Sequence, residues 1–221
     1  MSPSAPATLA LLADLVAIPS HVSQPNGIAA VAEIIGSSLA GAGFEALPAT
    51  PPVRRAPEWA ERVLCPEAEF DQLLDPFVWR RPGTAAGELL ILADLDAALA
   101  LDPSDCRLTV AGGRAIGPAV ADMKGGLVVL VDAMRRVADA SAPTPSITVV
   151  LSADEQAGSL RSATTISRLA ESASWCVCLE CGRDGGHLMR SRGHIGVGLL
   201  TATGVEAHAG SARSAGVNAV T

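Results

Sequence analysis

A single aspartate, Asp122, stands inside the stretch IGPAVADMKGG, residues 116–126. Gly117-Pro118 predicts a turn before it, and Gly125-Gly126 lets the backbone come close to whatever the carboxylate holds. The apolar run LVVLVDAM then predicts a buried helix. An aspartate at such a loop-to-helix junction either caps the helix or belongs to a functional site. Taken alone, the stretch favours a cap, so the choice depends on the other acidic residues.

Carboxylates also follow three apolar runs of strand length. Asp94 and Asp96 end ELLILADLD, Asp154 and Glu155 follow ITVVLSA, and Glu180 ends WCVCLE. The carboxyl ends of parallel strands meet at one edge of a sheet, where ligands bind. Buried charges are costly unless they are paired or hold a cation. Acidic groups at the ends of several strands therefore favour a metal site over independent caps.

Helical and strand patterns alternate around these acids. The apolar spacing predicts helices over 8–19, 28–39, 126–137 and 159–171, and strands over 44–47, 88–95, 147–151 and 175–180. Strands separated by helices predict an α/β domain with a mostly parallel central sheet flanked by helices. The sequence does not assign the pairing of the irregular stretch 48–82.

The pattern changes after Arg190. HIGVGLLTATG alternates like a strand, and EAHAGSARSAGVNAVT is typical of a loop that enters a helix. A strand and one helical turn bury too little surface to form a core. We therefore expect residues 1–190 to form an α/β catalytic-type domain. We expect residues 191–221 to begin a smaller α+β lid domain whose remainder lies beyond Thr221.

Composition argues against several classes of partner. Aromatic residues make up 3% of the 221 residues and tyrosine is absent, which disfavours base stacking on nucleic acid. A net charge of -7 disfavours phosphate backbones and anionic membranes. Neither a signal peptide nor a membrane-spanning run is predicted. Five cysteines without framework spacing indicate free thiols in a reducing compartment, so we expect a cytoplasmic protein.

Four ordered motifs resemble the metal-dependent aminoacylase and carboxypeptidase family of metallopeptidases, which includes glutamate carboxypeptidase and acetylornithine deacetylase. ILADLDAAL is similar to the family's His-x-Asp strand end, and LTVAGGRAIGPAVADMKGG to its bridging-aspartate segment. ITVVLSADEQAGS is similar to its Asp-Glu-Glu-x-Gly-Ser segment, and GVEAHAGSARSAGVNAV to the start of its lid domain. The resemblance runs from about residue 8 to the end of the chain.

The resemblance implies a role for each matching residue. Asp122 would bridge two divalent ions, Glu180 would complete one metal site, and Glu155 would be the general base. His208 would match the lid histidine that reaches the partner's active site in family dimers and steadies the oxyanion. Asp96 would match the aspartate that orients a metal-binding histidine. The implied reaction is hydrolysis of the amide bond of an N-acyl amino acid or small peptide.

Two ligand positions differ from the family's pattern. Asp94 replaces the metal-binding histidine, and Gln156 replaces a metal-binding glutamate. The family's final histidine ligand belongs to a part of the fold outside these 221 residues. Oxygen donors alone suit Mn²⁺ or Mg²⁺ better than Zn²⁺. The expected cofactor is thus a divalent metal, zinc by family resemblance and manganese or magnesium by ligand type.

Several functions remain open on these residues. The leading hypothesis is a metal-dependent amidohydrolase with a small-molecule amide substrate. It would act as a homodimer through the lid domain or with a partner that supplies the missing half. The altered ligands also fit a relative whose metal site has decayed, with a binding or partner-dependent role, or a relative that forms amides in biosynthesis.

Three cysteines and a lysine close to the motifs have simpler interpretations. Cys176, Cys178 and Cys181 have C-x-C-x-x-C spacing without a second pair, so we do not interpret them as a zinc site. Cys176 and Cys178 share one face of the predicted strand, where we interpret them as small buried residues. Lys124 is interpreted as a solvated lysine at a helix start rather than a substrate contact.

Overall fold

The computed structural model describes residues 5–54, 58–66, 68, 70–182, 184–191, 193, 196, 198 and 200–219. The chain divides into two compact units, Met1–Arg190 and Ser191–Thr221. All of the described helices and paired strands that surround the acidic residues lie in the first unit.

The first unit contains helices and strands close to those predicted. The helices are α1 (Ala5–Val16), α2 (Pro25–Gly41), α3 (Glu58–Leu64), α4 (Gly125–Asp139) and α5 (Ser162–Ala170). The strands are β1 (Glu45–Leu47), β2 (Phe77–Arg81), β3 (Glu88–Asp94), β4 (Thr109–Ala111), β5 (Arg114–Ile116), β6 (Ser146–Ser152) and β7 (Trp175–Cys178). The predicted elements of this unit are present, with their ends shifted by at most three residues. Within the described part of the chain, no helix is long and apolar enough to cross a membrane.

The central sheet has the strand order β1-β2-β6-β3-β7. β3 pairs in parallel with both β6 and β7, whereas β2 pairs antiparallel with β6 and β1. The predicted α/β class, with parallel strands at the centre of the sheet, is confirmed. β2 is the strand that the sequence left unassigned, because its FVWRR segment lies in a proline-rich stretch without an alternating pattern.

The two faces of the sheet bury different side chains because successive strand residues point to opposite sides. Ile91 and Val149 pack in the large core cluster, which also contains the buried faces of α1, α2 and α4. Leu90 and Val150 pack in a second cluster, with Ile166 of α5 against it. Helices thus cover both faces, as a parallel sheet requires.

β7 differs from the expected buried strand. Cys176 and Cys178 are exposed, and 56% of Trp175 is exposed. The interpretation of these two cysteines as buried strand residues is therefore wrong. The physical reason is position, since β7 pairs only with β3 among the described strands and so forms an edge of the sheet.

A small hairpin of β4 and β5 precedes the Asp122 stretch. Gly112 and Gly113 form its two-residue turn with φ values of 57° and 75°. A Gly-Gly pair between short strands is the sequence signal of such a turn. This hairpin is absent from the elements predicted by the apolar spacing.

The second unit has little regular structure in its described part. Val205 and Val217 form an antiparallel bridge, with their backbone groups hydrogen-bonded at 2.9 and 3.0 Å. One 3-10 turn, Arg213–Ala215, occupies the segment where a helix was expected. The strand predicted from HIGVGLLTATG includes His194, Ile195, Val197 and Leu199, which lie outside the described residues.

The core packing of α4 is testable with two substitutions on the same helix. Leu127 is fully buried, so Leu127→Ala is expected to lower the free energy of unfolding by about 2–5 kcal/mol through a cavity. Val129 is 61% exposed, so Val129→Ala is expected to change it by less than about 0.5 kcal/mol. Urea unfolding measures both. Equal losses in the two variants would contradict this packing.

Candidate metal and catalytic site

Asp122 lies in a loop before α4 and does not cap that helix. Its φ and ψ are -129° and 94°, which is extended backbone. Helix α4 begins at Gly125, Lys124 occupies the N-cap position, and no side chain caps the helix. The capping interpretation of Asp122 is therefore wrong, and its carboxylate is available for another role.

Close backbone packing fixes the loop that carries Asp122. A Cβ atom at Gly125 would lie 2.6 Å from the Val120 carbonyl oxygen, so only glycine fits there without a shift. The Lys124 N–H donates to the Ala119 carbonyl at 2.8 Å. The loop is also tied to β3, because the Asp94 N–H donates to the Met123 Sδ at 3.2 Å. Asp122 and Asp94 are thus positioned by adjoining backbone.

Among the described residues, two clusters of side chains that could hold a metal ion share Glu180. In one cluster, carboxylate oxygens of Asp94, Glu155 and Glu180 all lie within 4.8 Å of one another. In the other, oxygens of Asp122 and Glu180 and the Sγ of Cys181 lie within the same distance of one another. The acidic residues predicted at four chain segments therefore meet at the carboxyl edge of the sheet.

Asp94 is a buried carboxylate of the first cluster. It is 9% exposed, and no described residue donates a hydrogen bond to its side chain. Burial raises the pKa of Asp94 to about 8, with further contributions from the charges of Glu155, Asp96, Glu180 and Asp122. A cation among these oxygens would favour the ionised form. The donor set therefore fits a divalent metal.

Asp96 holds the loop that carries Glu155. Its two carboxylate oxygens accept the backbone N–H groups of Glu155 at 3.1 Å and Gln156 at 2.8 Å. Burial raises the pKa of Asp96 to about 7, although these two hydrogen bonds oppose the shift. The family resemblance implied that Asp96 orients a metal-binding histidine. In this chain its side chain accepts hydrogen bonds from the backbone of the loop that carries Glu155.

Asp154 anchors the same loop from the other side. It is fully buried, and it accepts hydrogen bonds from the Ser162 Oγ and the Arg161 N–H, both at 2.6 Å. Its backbone carbonyl accepts the Ser159 N–H at 2.8 Å. Glu155 therefore stands on a loop whose neighbours on both sides are fixed by buried aspartates.

The remaining two predicted site residues are Gln156 and His208. Gln156 is partly exposed, and its backbone is bound by Asp96 as described above. His208 is exposed in the second unit, where its Nδ1 accepts the N–H groups of Gly210 at 3.2 Å and Ser211 at 3.1 Å. In the neutral ring this places the proton on Nε2, which can donate a hydrogen bond. Ligation by Gln156 and oxyanion binding by His208 remain predictions.

Cys181 belongs to one of these clusters, although its C-x-C-x-x-C spacing without a second pair predicts no cysteine metal site. Glu180 and Cys181 would point to opposite faces if β7 continued through them. The strand ends at Cys178, however, and the following backbone brings both side chains close to Asp122. Across the described residues, the three cysteines do not form a cluster of their own. A period-2 pattern could not have found the Cys181 position.

Lys124 is buried, so its interpretation as a solvated lysine is wrong. It is 4% exposed, and its Nζ donates to the Ile18 carbonyl at 2.5 Å. Burial lowers the pKa of Lys124 to about 8, while the neighbouring Cys106 opposes the shift. The lysine joins the Asp122 loop to the end of α1 rather than facing solvent.

Two cavities lined by described residues adjoin the clusters. One of about 120 Å³ is lined in part by Asp94, Glu155, Cys178 and Glu180. Another of about 280 Å³ lies beside Asp122 and is mostly apolar. A larger depression of about 630 Å³ lies among residues 54–72, and none of the clustered acids is among the described residues that line it. The first two cavities are therefore the relevant ones for chemistry at Asp122 and Glu155.

No family model matches the chain. Among known sequences, carboxypeptidase G2 from Pseudomonas sp. (strain RS-16) is 28% identical over 223 aligned positions. The match covers 97% of this chain and 48% of that protein. The sequence similarity to this carboxypeptidase thus extends over nearly the whole chain and agrees with the family resemblance of the four motifs. It spans about half the length of the curated relative that it matches.

Solved structures of this fold include several peptidases. Aminopeptidase PepT from Bacillus cereus matches 96% of this chain and 53% of its own, with a TM-score of 0.61 and 15% identity. Human carnosine dipeptidase 1 matches 78% of this chain and 38% of its own, with a TM-score of 0.60 and 16% identity. The M20 family metallo-carboxypeptidase Sso-CP2 from Sulfolobus solfataricus matches 79% and 37%, with a TM-score of 0.57 and 17% identity. These likenesses show the shared fold.

The hydrogen bonds of Asp96 give a first prediction for the site. Asp96→Asn replaces one acceptor by an amide donor that faces a backbone N–H, so the free energy of unfolding should fall by about 1–3 kcal/mol. Amide hydrogen exchange at Glu155 and Gln156 should accelerate. Asp14→Asn, at an exposed position on α1, is the matched control and should change neither quantity. Unchanged exchange in Asp96→Asn would contradict the positioning role.

The carboxylate cluster gives a second prediction, on pH. Because the folded-state pKa of Asp94 is about 8 against an ordinary value of 3.8, the folded protein holds a proton that the unfolded chain has released between these values. The contribution of Asp94 to the free energy of unfolding is therefore present in full below about pH 4, and it is lost as pH rises towards 8. In chelator-treated protein, urea unfolding from pH 4 to 8 should show this fall, and Asp94→Asn should reduce it.

Asp96 contributes in the same direction, since its folded-state pKa is about 7. The fall should thus be smaller in Asp94→Asn but not abolished. A divalent ion added at pH 8 should restore stability to the wild type by binding the ionised cluster. Identical pH slopes in the wild type and Asp94→Asn would count against the repulsion described here.

Proposed function

We propose that this chain carries the catalytic-type half of a metal-dependent amidohydrolase that cleaves an amide bond in an N-acyl amino acid or small peptide. The observation that carries the proposal is the position of Glu155. Its carboxylate lies within 4.8 Å of oxygens of Asp94 and Glu180, and Glu180 is shared with the cluster of Asp122. A candidate base thus stands directly beside candidate metal ligands.

The residues that would hold the metal are Asp122, Glu180 and Asp94. A divalent ion at such a site supplies Lewis-acid polarisation of the amide carbonyl and activation of water near neutral pH. The buried carboxylate of Asp94, with four acidic neighbours, supports a cation at this place. Gln156 is proposed as a weaker neutral ligand on the side of Asp122, as the family resemblance implies.

Glu155 is proposed to move the proton. Its carboxylate accepts a proton from the attacking water and then donates it to the leaving amine, as a general base and acid must. Proton transfer needs a side chain held at hydrogen-bond distance from the reacting atoms. The backbone hydrogen bonds that Asp96 accepts from Glu155 and Gln156 support that requirement.

The 280 Å³ cavity beside Asp122 supports a substrate with an apolar group next to the scissile amide. Its lining includes the apolar side chains of Val16, Leu99 and Leu101. Ser20 also lines it, and the buried Ser20 Oγ has no hydrogen-bond partner among the described residues. We propose that a polar atom of the bound substrate forms a hydrogen bond with the Ser20 hydroxyl.

His208 is proposed to stabilise the oxyanion across a homodimer formed by the second unit. The support is the family resemblance of the EAHAG segment and the exposed ring of His208, whose Nε2 can donate. A partner chain that supplies the remainder of the site is the second form of this proposal. Cytoplasmic localisation likewise remains a prediction from the cysteine content.

The test is hydrolysis of N-acyl amino acids and small peptides by the metal-loaded full-length protein. Glu155→Gln should lower kcat/KM by about 10²–10⁴-fold because it removes the proton carrier while keeping the backbone N–H that Asp96 binds. Glu33→Gln, at an exposed position of α2, is the matched control and should leave turnover unchanged.

Metal content must be measured on the same samples. Glu155→Gln should bind metal as the wild type does, so that its loss of turnover reports on the base alone. Stoichiometric metal without turnover of any amide substrate would contradict the hydrolase proposal and favour a binding or amide-forming role.

A further inference from the structure

Cys181 places a thiol among the acidic oxygens beside Asp122. Its Sγ lies within 4.8 Å of a carboxylate oxygen of Asp122 and of Glu180. Cys181 is partly exposed and is a free thiol. Glu180 and Cys181 follow β7 directly, whereas Asp122 comes from the loop before α4. The three donors therefore converge from two separate segments of the chain.

The spacing of these donors fits one ion. Zinc binds thiolate sulfur at about 2.3 Å and carboxylate oxygen at about 2.0–2.2 Å, so a thiolate and a carboxylate ligand of one ion lie at most about 4.5 Å apart. Donor atoms within 4.8 Å of one another can reach that range by small side-chain rotations. A longer backbone movement is not required.

A second observation points to a cation at this place. The Asp94 carboxylate belongs to the adjoining cluster, in which it shares Glu180 with the Cys181 group. Asp94 is 9% exposed, and none of the described side chains or backbone groups donates a hydrogen bond to its carboxylate. A buried carboxylate without a partner is costly unless a cation balances it. Asp94 and Cys181 thus each have a donor atom within 4.8 Å of a donor oxygen of Glu180.

We propose that Cys181 binds the metal as a thiolate together with Asp122 and Glu180, which makes this site selective for zinc over magnesium and manganese. The inference rests on the metal site of the proposed function. Thiolate ligands favour zinc, whereas magnesium and manganese favour carboxylate and water. On binding, the Cys181 S–H bond breaks, the sulfur bonds the metal, and the proton passes to solvent.

Cys178 is the competing thiol. It lines the 120 Å³ cavity with Asp94 and Glu180, so it lies close to the same carboxylates. The described metal-binding clusters, however, include Cys181 and not Cys178. Cys176 lies on the exposed edge strand and belongs to neither cluster. These two cysteines provide matched controls on the same segment.

Cobalt titration of the chelator-treated full chain tests the assignment without any turnover. Cobalt in the wild type, Cys176→Ser and Cys178→Ser should give the near-ultraviolet charge-transfer band of a thiolate-cobalt bond. Cys181→Ser should lose that band, and its zinc affinity should fall by about 10–100-fold or more, the range for groups that support a metal. Its magnesium affinity should stay unchanged.

A labelling experiment keeps the test valid if Cys181→Ser does not fold. Zinc should protect Cys181 of the wild type from alkylation, measured by mass spectrometry, while exposed Cys176 stays reactive. The proposal is overturned if Cys181 reacts equally with and without zinc, or if the cobalt band is lost in Cys178→Ser instead. If metal binds without the thiolate-cobalt band, only the assignment of Cys181 as a ligand is contradicted. If the band is present but no amide substrate is hydrolysed, only the hydrolase proposal is contradicted.

Discussion

Repulsion among carboxylates at the carboxyl edge of the sheet is the constraint on which this structure depends. Burial and four acidic neighbours raise the pKa of Asp94 to about 8, so the ionised cluster is unfavourable without a cation. The described residues donate no hydrogen bond to the Asp94 carboxylate that would favour its ionised form. Such an arrangement opposes folding stability and is typical of a functional site. A bound divalent ion would convert the repulsion into binding energy.

The parallel centre of the sheet brings the acids together. β3 pairs with β6 so that Asp94 lies beside Ser152, three residues before Glu155. On the other side Leu92 pairs with Cys178, and the Leu179 N–H donates to the Leu92 carbonyl at 2.9 Å. Asp94 and Glu180 each lie two residues beyond this Leu92–Cys178 pair, so both reach the same edge of the sheet. Loops of different length can therefore deliver carboxylates to one place from strands that are distant in sequence.

The polar contacts of the edge divide into two kinds. The carboxylates of Asp96 and Asp154 accept hydrogen bonds from backbone N–H groups and the Ser162 hydroxyl, and so they fix the loop around Glu155. Asp94 has no such partner in the described part of the chain. Aspartates that bind backbone cost little when buried, whereas one that meets only like charge either keeps its proton or binds a cation. Because all three residues are aspartates, residue type alone does not distinguish these two roles.

The sequence predicted the features that repeat along the chain. The apolar runs identified β3, β6 and α4, and the acids that end the strands identified the edge where Asp94, Glu155 and Glu180 meet. Features set by tertiary packing escaped it. β2 joins the sheet without an alternating pattern, Lys124 is buried by a contact with the distant Ile18, and Cys181 reaches the cluster because β7 has already ended.

Calorimetric titration of zinc into the chelator-treated chain, compared with Asp122→Asn, tests the central claim most directly. Asp122 is proposed to be the central ligand, and asparagine keeps its shape while removing the charge. We expect stoichiometric binding by the wild type and at least about tenfold weaker binding by the variant. Wild-type protein that binds no zinc, or an Asp122→Asn variant that binds it equally well, would contradict a metal site centred on Asp122.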